Sequence, residues 1–436
     1  MSPVKTNTLN NTAYHPYLTT NVYSALGKPV TVNGKTKKHL YPKVGIYNGP
    51  GASHSWIWFV DILDAMGFWD IEFVDNQQIR NGELTNVHVL LVSGGDTFAI
   101  AESLGKEGAK NIKYFLEEGG LYIGSCAGAY LPLNSSLSPL NLFNFASVKI
   151  SNLAHTLPAP VTLPEKFCTS YGCHYVFHPV REEVKFSLVD SPFPQQNVEL
   201  VAPLYGGPSF LPSPDVHTLA LYTGFTPKTL FLTDVQLAYD TVIGKSAIVT
   251  RSIGKGMMCL LGPHLEHPHY PIANTLIAEM IYHGTSNEAA KRKTDFLLST
   301  SSPHHGEAHT LLRGIKGELS NARVVALSLE RVPIHWYIGH KVYEPEKIRV
   351  FLEAMWRRWS TFASHRSGNE PELYAIYTMA KALTKHLRTI KQSSCSGTDD
   401  PETIGKMFNS LKALTASFLT LYFRKQRILT MKGGIP

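Results

Sequence analysis

Cys126 has the surroundings of a displayed nucleophile. It follows the apolar run Leu121 to Ile123 and lies within a stretch of small residues, Gly124-Ser125-Cys126-Ala127-Gly128. The apolar run predicts a buried strand, and the small residues permit a sharp turn from that strand into a helix. A helix beginning there would lower the pKa of the thiol and present backbone N–H groups to an oxyanion. The alternative is a small buried cysteine packed in a turn.

Two acid–base residues, His264 and Glu266, follow a second apolar run, Met257 to Leu261. A cysteine nucleophile needs a base within hydrogen-bond reach, and the base needs a third group that orients it. Residues two apart in an extended chain point to the same side, so His264 and Glu266 form a plausible pair. We therefore predict a triad of these two residues with Cys126. The alternative is a histidine-rich surface loop.

Strands and helical segments alternate from Lys43 onwards, which predicts an α/β domain with a parallel, doubly wound sheet. In such a sheet the loops after successive parallel strands meet at one edge, where open sheets bind their ligands. The predicted strands are Val44–Tyr47, Ile71–Val74, Val87–Val92, Leu121–Gly124, His217–Tyr222, Ala247–Thr250 and Met257–Leu261, and the predicted helices are Ser53–Met66, Asn111–Glu118 and Ile272–His283.

The C-terminal part differs in pattern and in charge. Apolar residues recur there every three or four positions, which predicts helices at Lys347–Ser360, Glu372–Lys391 and Glu402–Arg427, with a loop at Ser393–Asp400. Residues 285–436 carry 23 Lys and Arg against 13 Asp and Glu, whereas residues 1–284 carry 18 against 21. We therefore predict an N-terminal extension at 1–41, an α/β domain at 42–286 and a basic all-α domain at 287–436.

Five short motifs occur in an order that resembles one family. They are Tyr47-Asn48-Gly49-Pro50-Gly51, Ser93-Gly94-Gly95-Asp96, the cysteine turn, Tyr205-Gly206-Gly207-Pro208, and Gly254-Lys255-Gly256 with the later Gly262-Pro263-His264-Leu265-Glu266. This order resembles the glutamine amidotransferase-like domain found at the N-terminus of eukaryotic biotin-protein ligases and in stand-alone prokaryotic proteins. The resemblance covers about Pro42 to Gly284. It implies the flavodoxin-like, mostly parallel fold of the class I glutamine amidotransferase-like superfamily.

The resemblance also implies roles for the motif residues. Cys126 would be the nucleophile, His264 the base and Glu266 the group that orients it. The backbone N–H groups of Gly95 and Ala127 would bind an oxyanion. In relatives a proline usually separates the base from the acid, and its replacement by leucine here removes no catalytic group. The other motif residues expected at the substrate are Asn48, Gly49, Gly94, Asp96, Tyr205, Gly206 and Gly207.

These residues predict a cysteine-dependent amide hydrolase or amidotransferase-like enzyme that forms a thioester on a small amide or peptide-like substrate. Two other functions stay open. One is a non-catalytic regulatory or partner-binding module with the same fold, and the other is a peptidase of a related fold. A peptidase requires an open site, so the position of the long segment Phe145–Pro203 relative to Cys126 distinguishes it.

No metal or other cofactor is predicted. Cys168, Cys173, His174 and His178 lie near one another in the chain, but no second Cys-x-x-Cys or His-x-x-x-His unit completes a zinc pattern. The C-terminal part contains no Gly-x-x-x-x-Gly-Lys-Ser/Thr loop for a nucleotide phosphate.

The expected compartment is the cytoplasm. The chain has no apolar run long enough to span a membrane, no basic-then-apolar leader, and five cysteines without a disulfide-type spacing. The basic C-terminal domain is suited to an acidic protein partner or an anionic membrane surface, and the alternative is a solvated helical surface with excess lysine and arginine. Nucleic acid is not the expected partner, because no helix-turn-helix, zinc-finger or single-strand-binding pattern is present.

Overall fold

The computed structural model describes most of the chain. The described residues are 31–32, 35–36, 42–156, 175–189, 193, 198–285, 307–339, 341–364, 370–396 and 401–431. Most of the predicted N-terminal extension, the predicted boundary at 286 and three of the four considered zinc ligands (Cys168, Cys173 and His174) lie outside these residues.

A mixed sheet of eleven strands forms the centre of the described part. Its parallel half contains five strands in the order β4, β3, β5, β6, β15. The sequence builds this half from short apolar runs, and every residue of the two central strands β3 and β5 is buried. The bounds are β3 Val44–Tyr47, β4 Ile71–Val74, β5 Val89–Val92, β6 Leu121–Ser125 and β15 Gly256–Leu261.

The other half of the sheet is antiparallel and continues from β15 in the order β14, β12, β9, β10. Two short strands extend it from β14, since β11 pairs with β14 and β7 pairs with β11. In β9 buried and half-buried residues alternate, as expected for a strand covered on one face. The bounds are β7 Val148–Ile150, β9 Glu183–Leu188, β10 Glu199–Pro203, β11 Phe210–Pro212, β12 His217–Phe225 and β14 Ser246–Ile253.

Three short antiparallel pairs lie outside this sheet. They are β1 with β2, β8 with β13, and β16 with β17. The last pair interrupts the described C-terminal helices, so the prediction of an all-α C-terminal part is corrected to helices with one small hairpin. The bounds are β1 Thr31–Val32, β2 Lys35–Thr36, β8 Val180–Arg181, β13 Leu230–Phe231, β16 Trp336–Ile338 and β17 Lys341–Tyr343.

Six helices occur in the described α/β part: α1 Trp56–Ala65, α2 Asn76–Arg80, α3 Thr97–Glu117, α4 Ala127–Tyr130, α5 Val235–Val242 and α6 Pro271–Thr285. Helix α3 begins fourteen residues before the predicted start at Asn111, because the Asp96 carboxylate caps it by accepting from the Phe98 and Ala99 N–H groups. Gly105 interrupts this helix with a φ of 57°, which explains why the sequence pattern revealed only its second half.

The described C-terminal part consists mainly of the helices α7 Glu307–Leu329, α8 Pro345–Arg357, α9 Trp359–Ser364, α10 Glu370–Ser396 and α11 Pro401–Met431. Helix α7 was not predicted, and α10 extends through Ser396, so Ser393–Ser396 are helical rather than the start of a loop. None of the helices among the described residues combines the length and apolar character that spanning a bilayer requires.

The C-terminal helices pack on the α/β part through buried ion pairs as well as apolar contacts. Arg358 donates to Asp61 at 2.9 Å and to Asp64 at 2.8 Å, and Arg357 donates to both oxygens of Asp61. Arg358 and Asp61 are both buried. Arg427 of the last helix donates to Asp70 of the α/β part. Part of the excess positive charge of the C-terminal helices therefore neutralises acidic residues of the same chain.

Candidate active site

Cys126 lies in a strained turn at the end of β6. Its backbone has φ 52° and ψ −108°, a region that a non-glycine residue rarely adopts, and only 7% of the residue is exposed. Such outliers concentrate at functional sites, and a nucleophile elbow is a turn of this kind. The helix that follows, α4, spans four residues. The predicted helix is thus a single turn, and a macrodipole adds little to the reactivity of the thiol.

Small residues are required in this turn because backbone segments approach closely. A Cβ atom on Gly128 would lie 2.0 Å from the Val92 carbonyl oxygen, and one on Gly124 would lie 2.2 Å from the Gly128 carbonyl oxygen. The buried Tyr122 hydroxyl donates to that same Gly128 oxygen at 2.6 Å. The turn is therefore locked between β5 and β6, and Cys126 is held in one orientation.

His264 and Glu266 form a buried pair next to Cys126. The His264 Nδ1 atom lies 2.7 Å from Glu266 Oε1, and the two residues are 3% and 0% exposed. The Cys126 side chain is close enough to His264 to affect the pKa of the imidazole. A Cβ atom on Gly94 would lie 3.0 Å from His264 Cε1 and 3.4 Å from Cys126 Cβ, so Gly94 adjoins both side chains. The structure thus brings the three predicted catalytic side chains together.

The pKa of His264 reflects this pairing. Burial by itself lowers the pKa of His264, but the Glu266 carboxylate and the Cys126 side chain raise it to about 10. The same carboxylate accepts a second hydrogen bond from the Ser125 hydroxyl at 2.9 Å. At neutral pH the site therefore favours a protonated imidazole between two acidic groups, which is the arrangement that stabilises a cysteine thiolate.

Aromatic rings hold the imidazole from two sides. The Trp58 ring meets His264 edge to face, with centroids 5.5 Å apart, and the Tyr205 ring lies 5.6 Å away. The Tyr205 carbonyl oxygen accepts from the Cys126 thiol at 3.8 Å, and its hydroxyl donates to Glu182 at 3.0 Å. Tyr205 therefore contacts both the nucleophile and the base of the candidate triad.

Two cavities adjoin Cys126. One of about 210 Å³, the apolar cavity, is lined mainly by aliphatic and aromatic side chains and includes Gly95, Ala127 and Gly206. The other, of about 170 Å³, the polar cavity, is lined by His264, Arg181, Glu182 and the C-terminal residues Glu344 and Lys347, among others. Cys126 lines both cavities, so an apolar cavity and a cavity with charged side chains meet at the same thiol.

The predicted substrate residues do not all lie at Cys126. Gly94 lines the polar cavity, Gly95, Asp96, Ala127 and Gly206 line the apolar cavity, and Tyr205 lines both. The Asp96 carboxylate also caps α3. Gly207 packs on Gly262, where a Cβ atom would lie 1.8 Å from the carbonyl oxygen, so its role there is close packing.

Asn48 and Gly49 line a different cavity, between the α/β part and helices α10 and α11. The Gly49 carbonyl oxygen accepts from the Lys412 ammonium at 3.2 Å, and burial lowers the pKa of that lysine to about 8. Neither Asn48 nor Gly49 is among the described residues that line the two cavities at Cys126. Their contact with a substrate stays a prediction.

Sequence reasoning missed Ser125, Trp58 and the C-terminal wall of the polar cavity. Ser125 adjoins the nucleophile in the chain, but its contact with Glu266 depends on β6 pairing with β15, which sets Ser125 opposite Leu261. Trp58 stands in an apolar helix, where a tryptophan is normally part of the core. Glu344 and Lys347 lie more than two hundred residues after Cys126, and no local pattern connects them to it.

One comparison with known families bears on the chain. Residues 42–135 match the model described as biotin-protein ligase, N terminal. The family that this model describes is glutamine amidotransferase-like. The match confirms the resemblance stated from the motifs within residues 42–135. The matched segment contains Gly94, Gly95 and Cys126, whereas His264 and Glu266 lie after its end.

Solved structures resemble the chain only weakly. A β-galactosidase from Bacillus circulans sp. alkalophilus is 12% identical over 56% of this chain and 31% of its own length, with a TM-score of 0.30. A putative ThuA-like protein from Bacteroides uniformis is 15% identical over 60% of this chain and 96% of its own, with a TM-score of 0.36. The chain thus spans under a third of the galactosidase. No curated protein sequence matches it significantly.

Proposed function

We propose that the chain is a cysteine-dependent amide hydrolase or amidotransferase-like enzyme with Cys126 as nucleophile, His264 as acid–base and Glu266 as the orienting group. The observation that carries this proposal is the buried His264–Glu266 pair, with its 2.7 Å contact, next to a cysteine in a strained turn. A buried carboxylate that holds one imidazole nitrogen leaves the other for the nucleophile, which is the logic of a catalytic triad.

The fold assignment belongs to the same proposal. Counted along the chain, the five parallel strands stand in the order 2-1-3-4-5, which is the flavodoxin-like order of doubly wound sheets. Cys126 and His264 follow the adjacent parallel strands β6 and β15, at the carboxyl ends where such sheets bind ligands. We propose a class I glutamine amidotransferase-like domain at 42–286 and a basic, mainly helical domain at 287–436.

The proposed reaction has two steps. The Cys126 thiolate attacks the amide carbonyl carbon, a C–S bond forms, and the C–N bond breaks as the His264 imidazolium gives its proton to the departing amine. A water molecule then attacks the thioester, losing a proton to His264, and the C–S bond breaks to return the thiolate and release the acid. The N–H groups of Gly95 and Ala127 bind the oxyanion in both steps.

The surroundings of Cys126 support a small substrate over a peptide. Only 7% of Cys126 is exposed, and Val148, Ile150 and Val176 from the long segment 145–203 line the apolar cavity beside it. The C-terminal residues Glu344 and Lys347 border the polar cavity on the other side. A polypeptide substrate would require an open groove, so a peptidase is the less favoured function. A regulatory module with the same fold remains the second candidate.

The experiment that tests the proposal is trapping of the acyl-enzyme. Full-length protein is incubated with a panel of small amides and activated esters, quenched in acid, and analysed by peptide mass spectrometry. We expect the acyl mass on Cys126, none on Cys259, and loss of turnover in Cys126→Ser. Cys259 is a suitable internal control because it is fully buried and burial raises its pKa to about 12. Turnover that persists in Cys126→Ser would contradict the proposal.

A further inference from the structure

We infer that the acyl part of the substrate is an apolar chain, held in the apolar cavity, and that the amine part leaves through the polar cavity. This inference rests on the proposed function, because it assigns the two sides of the thioester at Cys126. It concerns which amides the site accepts. Two observations carry it: the composition of the two cavities, and the position of each cavity relative to Cys126, Ala127 and His264.

Aliphatic and aromatic side chains form most of the wall of the apolar cavity, which also includes Thr97, Asn134, Ser135 and His178. Phe98, Leu133, Val148 and Val176 come from four separate segments of the chain and are all buried. Ile150 lines the same space and packs partly on the core. Burying apolar surface against these side chains is the main source of affinity for a hydrocarbon chain.

Charged side chains contribute little to this wall. Among the described lining residues, the carboxylate of Asp96 accepts from the backbone at the start of α3, and Lys149 is an exposed residue. The Asp96 carboxylate would repel a carboxylate on the acyl chain. The cavity is therefore suited to a neutral aliphatic or aromatic acyl group rather than to one that ends in an acid.

The position of the cavity assigns it to the acyl side. Gly95 and Ala127, the proposed oxyanion donors, line the apolar cavity together with Cys126. His264, which gives a proton to the departing amine, lines the polar cavity instead. A carbonyl carbon bonded to the Cys126 sulfur with its oxygen at these donors therefore extends its carbon chain into the apolar cavity, and the nitrogen faces His264.

The polar cavity fits an amine that carries charged groups. Two charged pairs line it: Arg181 approaches Glu182 to 3.6 Å, and Lys347 lies 3.8 Å from Glu344. The Arg181 guanidinium also stands over the Tyr205 ring, 5.1 Å from its centroid. Both signs of charge thus surround the space that the amine occupies before it departs.

Acylation of Cys126 by p-nitrophenyl esters of increasing chain length tests the inference. The thiolate attacks the ester carbonyl, the C–O bond breaks, and p-nitrophenolate leaves while the acyl group stays on sulfur. Rates are measured with the acetate, butyrate and hexanoate esters and with the monosuccinate, which matches butyrate in length but ends in a carboxylate. Each rate is divided by the rate of the same ester with free cysteine, and Cys126→Ser supplies the background.

We expect the normalised rate to rise at least about tenfold from acetate to hexanoate, since each added methylene in an apolar pocket strengthens binding. The monosuccinate should react more slowly than butyrate. A normalised rate that is flat with chain length, or faster with the monosuccinate, overturns the inference while leaving the proposed function intact. If no ester acylates Cys126 at all, the proposed function fails and the inference with it.

A pair of variants locates the effect in the apolar cavity. Ile150→Trp fills part of the cavity and should remove most of the preference for hexanoate over acetate. Leu230→Trp is the matched control, because Leu230 is 51% exposed and lines neither cavity. A hexanoate preference that survives in folded Ile150→Trp contradicts the assignment. If Ile150→Trp does not fold, the assignment is tested by the dependence of the acylation rate on chain length in the unmodified protein.

Discussion

At the scale of single residues, Glu266 connects two side chains that the chain itself separates widely. It accepts from Ser125 with one oxygen and pairs with His264 through the other. The sequence suggested a triad of Cys126, His264 and Glu266, because Cys126 and the His264–Glu266 pair each follow an apolar run that ends in a turn. The contribution of Ser125 was not, because only the register of β6 against β15 brings it to the carboxylate.

Ser125→Ala should therefore slow catalysis more than it weakens the fold. The hydroxyl helps to orient a buried carboxylate, and a hydrogen bond to a charged group contributes about 1.5–3 kcal/mol. We expect kcat to fall roughly tenfold or more. Ser246→Ala is the matched control. Ser246 is also buried, its hydroxyl lies 2.8 Å from the Thr218 hydroxyl, and both residues lie away from the two cavities. Equal kcat values for the two variants would remove Ser125 from a positioning role.

The raised pKa of His264 predicts a pH-dependent contribution to stability. The folded value of about 10 lies above the ordinary value of about 6.5, so the folded chain holds the proton more tightly. This contribution is complete below about pH 6.5 and disappears as the pH rises towards 10. Urea unfolding of the native protein and His264→Gln should differ more at about pH 6 than at about pH 9. A difference that is constant over this range would contradict the pairing.

At the scale of elements, the sequence pattern identified the parallel strands and the turn at Cys126, because short apolar runs and small residues mark both. It did not predict the antiparallel half as a continuation of the same sheet. Strands β9 and β10 lie in the segment 145–203, where no strand was predicted. Their pairing with β12 is a contact between distant segments that local periodicity does not encode.

The glycine in the elbow provides a test at this scale. Gly128→Ala places a methyl group against the Val92 carbonyl, and we expect loss of about 2–4 kcal/mol of stability together with loss of activity. Gly317→Ala is the control, because Gly317 is an exposed helical residue whose added Cβ would meet no atom within 4 Å. That change should stabilise the protein by about 0.5–1 kcal/mol. Urea unfolding of both variants measures the difference, and a neutral Gly128→Ala would contradict the close approach.

At the scale of the whole molecule, the C-terminal helices complete the polar cavity and bind the α/β part through Arg358. Replacing this buried arginine by methionine removes the ion pair of Asp64 and leaves Asp61 paired with Arg357 alone, and we expect a loss of about 3–5 kcal/mol. Arg424→Met removes an exposed pair with Glu372 and should cost no more than about 1 kcal/mol. Thermal unfolding distinguishes the two, and equal effects would show that the Arg358 pairs do not join the parts.

The charge asymmetry of the chain was visible in the sequence, but its use was not. An excess of lysine and arginine at 285–436 suggested an external partner, whereas Arg357, Arg358 and Arg427 contact acidic residues of the α/β part. A count of charges does not show which basic residues form ion pairs within the chain and which stay free to bind another molecule. The proposed protein partner would therefore have to use the basic residues that remain at the surface.

The most direct test of the proposed triad is the pH dependence of iodoacetamide labelling at Cys126, followed by peptide mass spectrometry on the native protein and on His264→Gln. If His264 and Cys126 form an ion pair, Cys126 should label with an apparent pKa well below the ordinary value of about 8.5, and the variant should shift that value upwards. Cys259 should stay unlabelled in both proteins. Labelling of Cys126 that is no faster than that of Cys259, or that is unchanged in His264→Gln, would contradict the proposed mechanism.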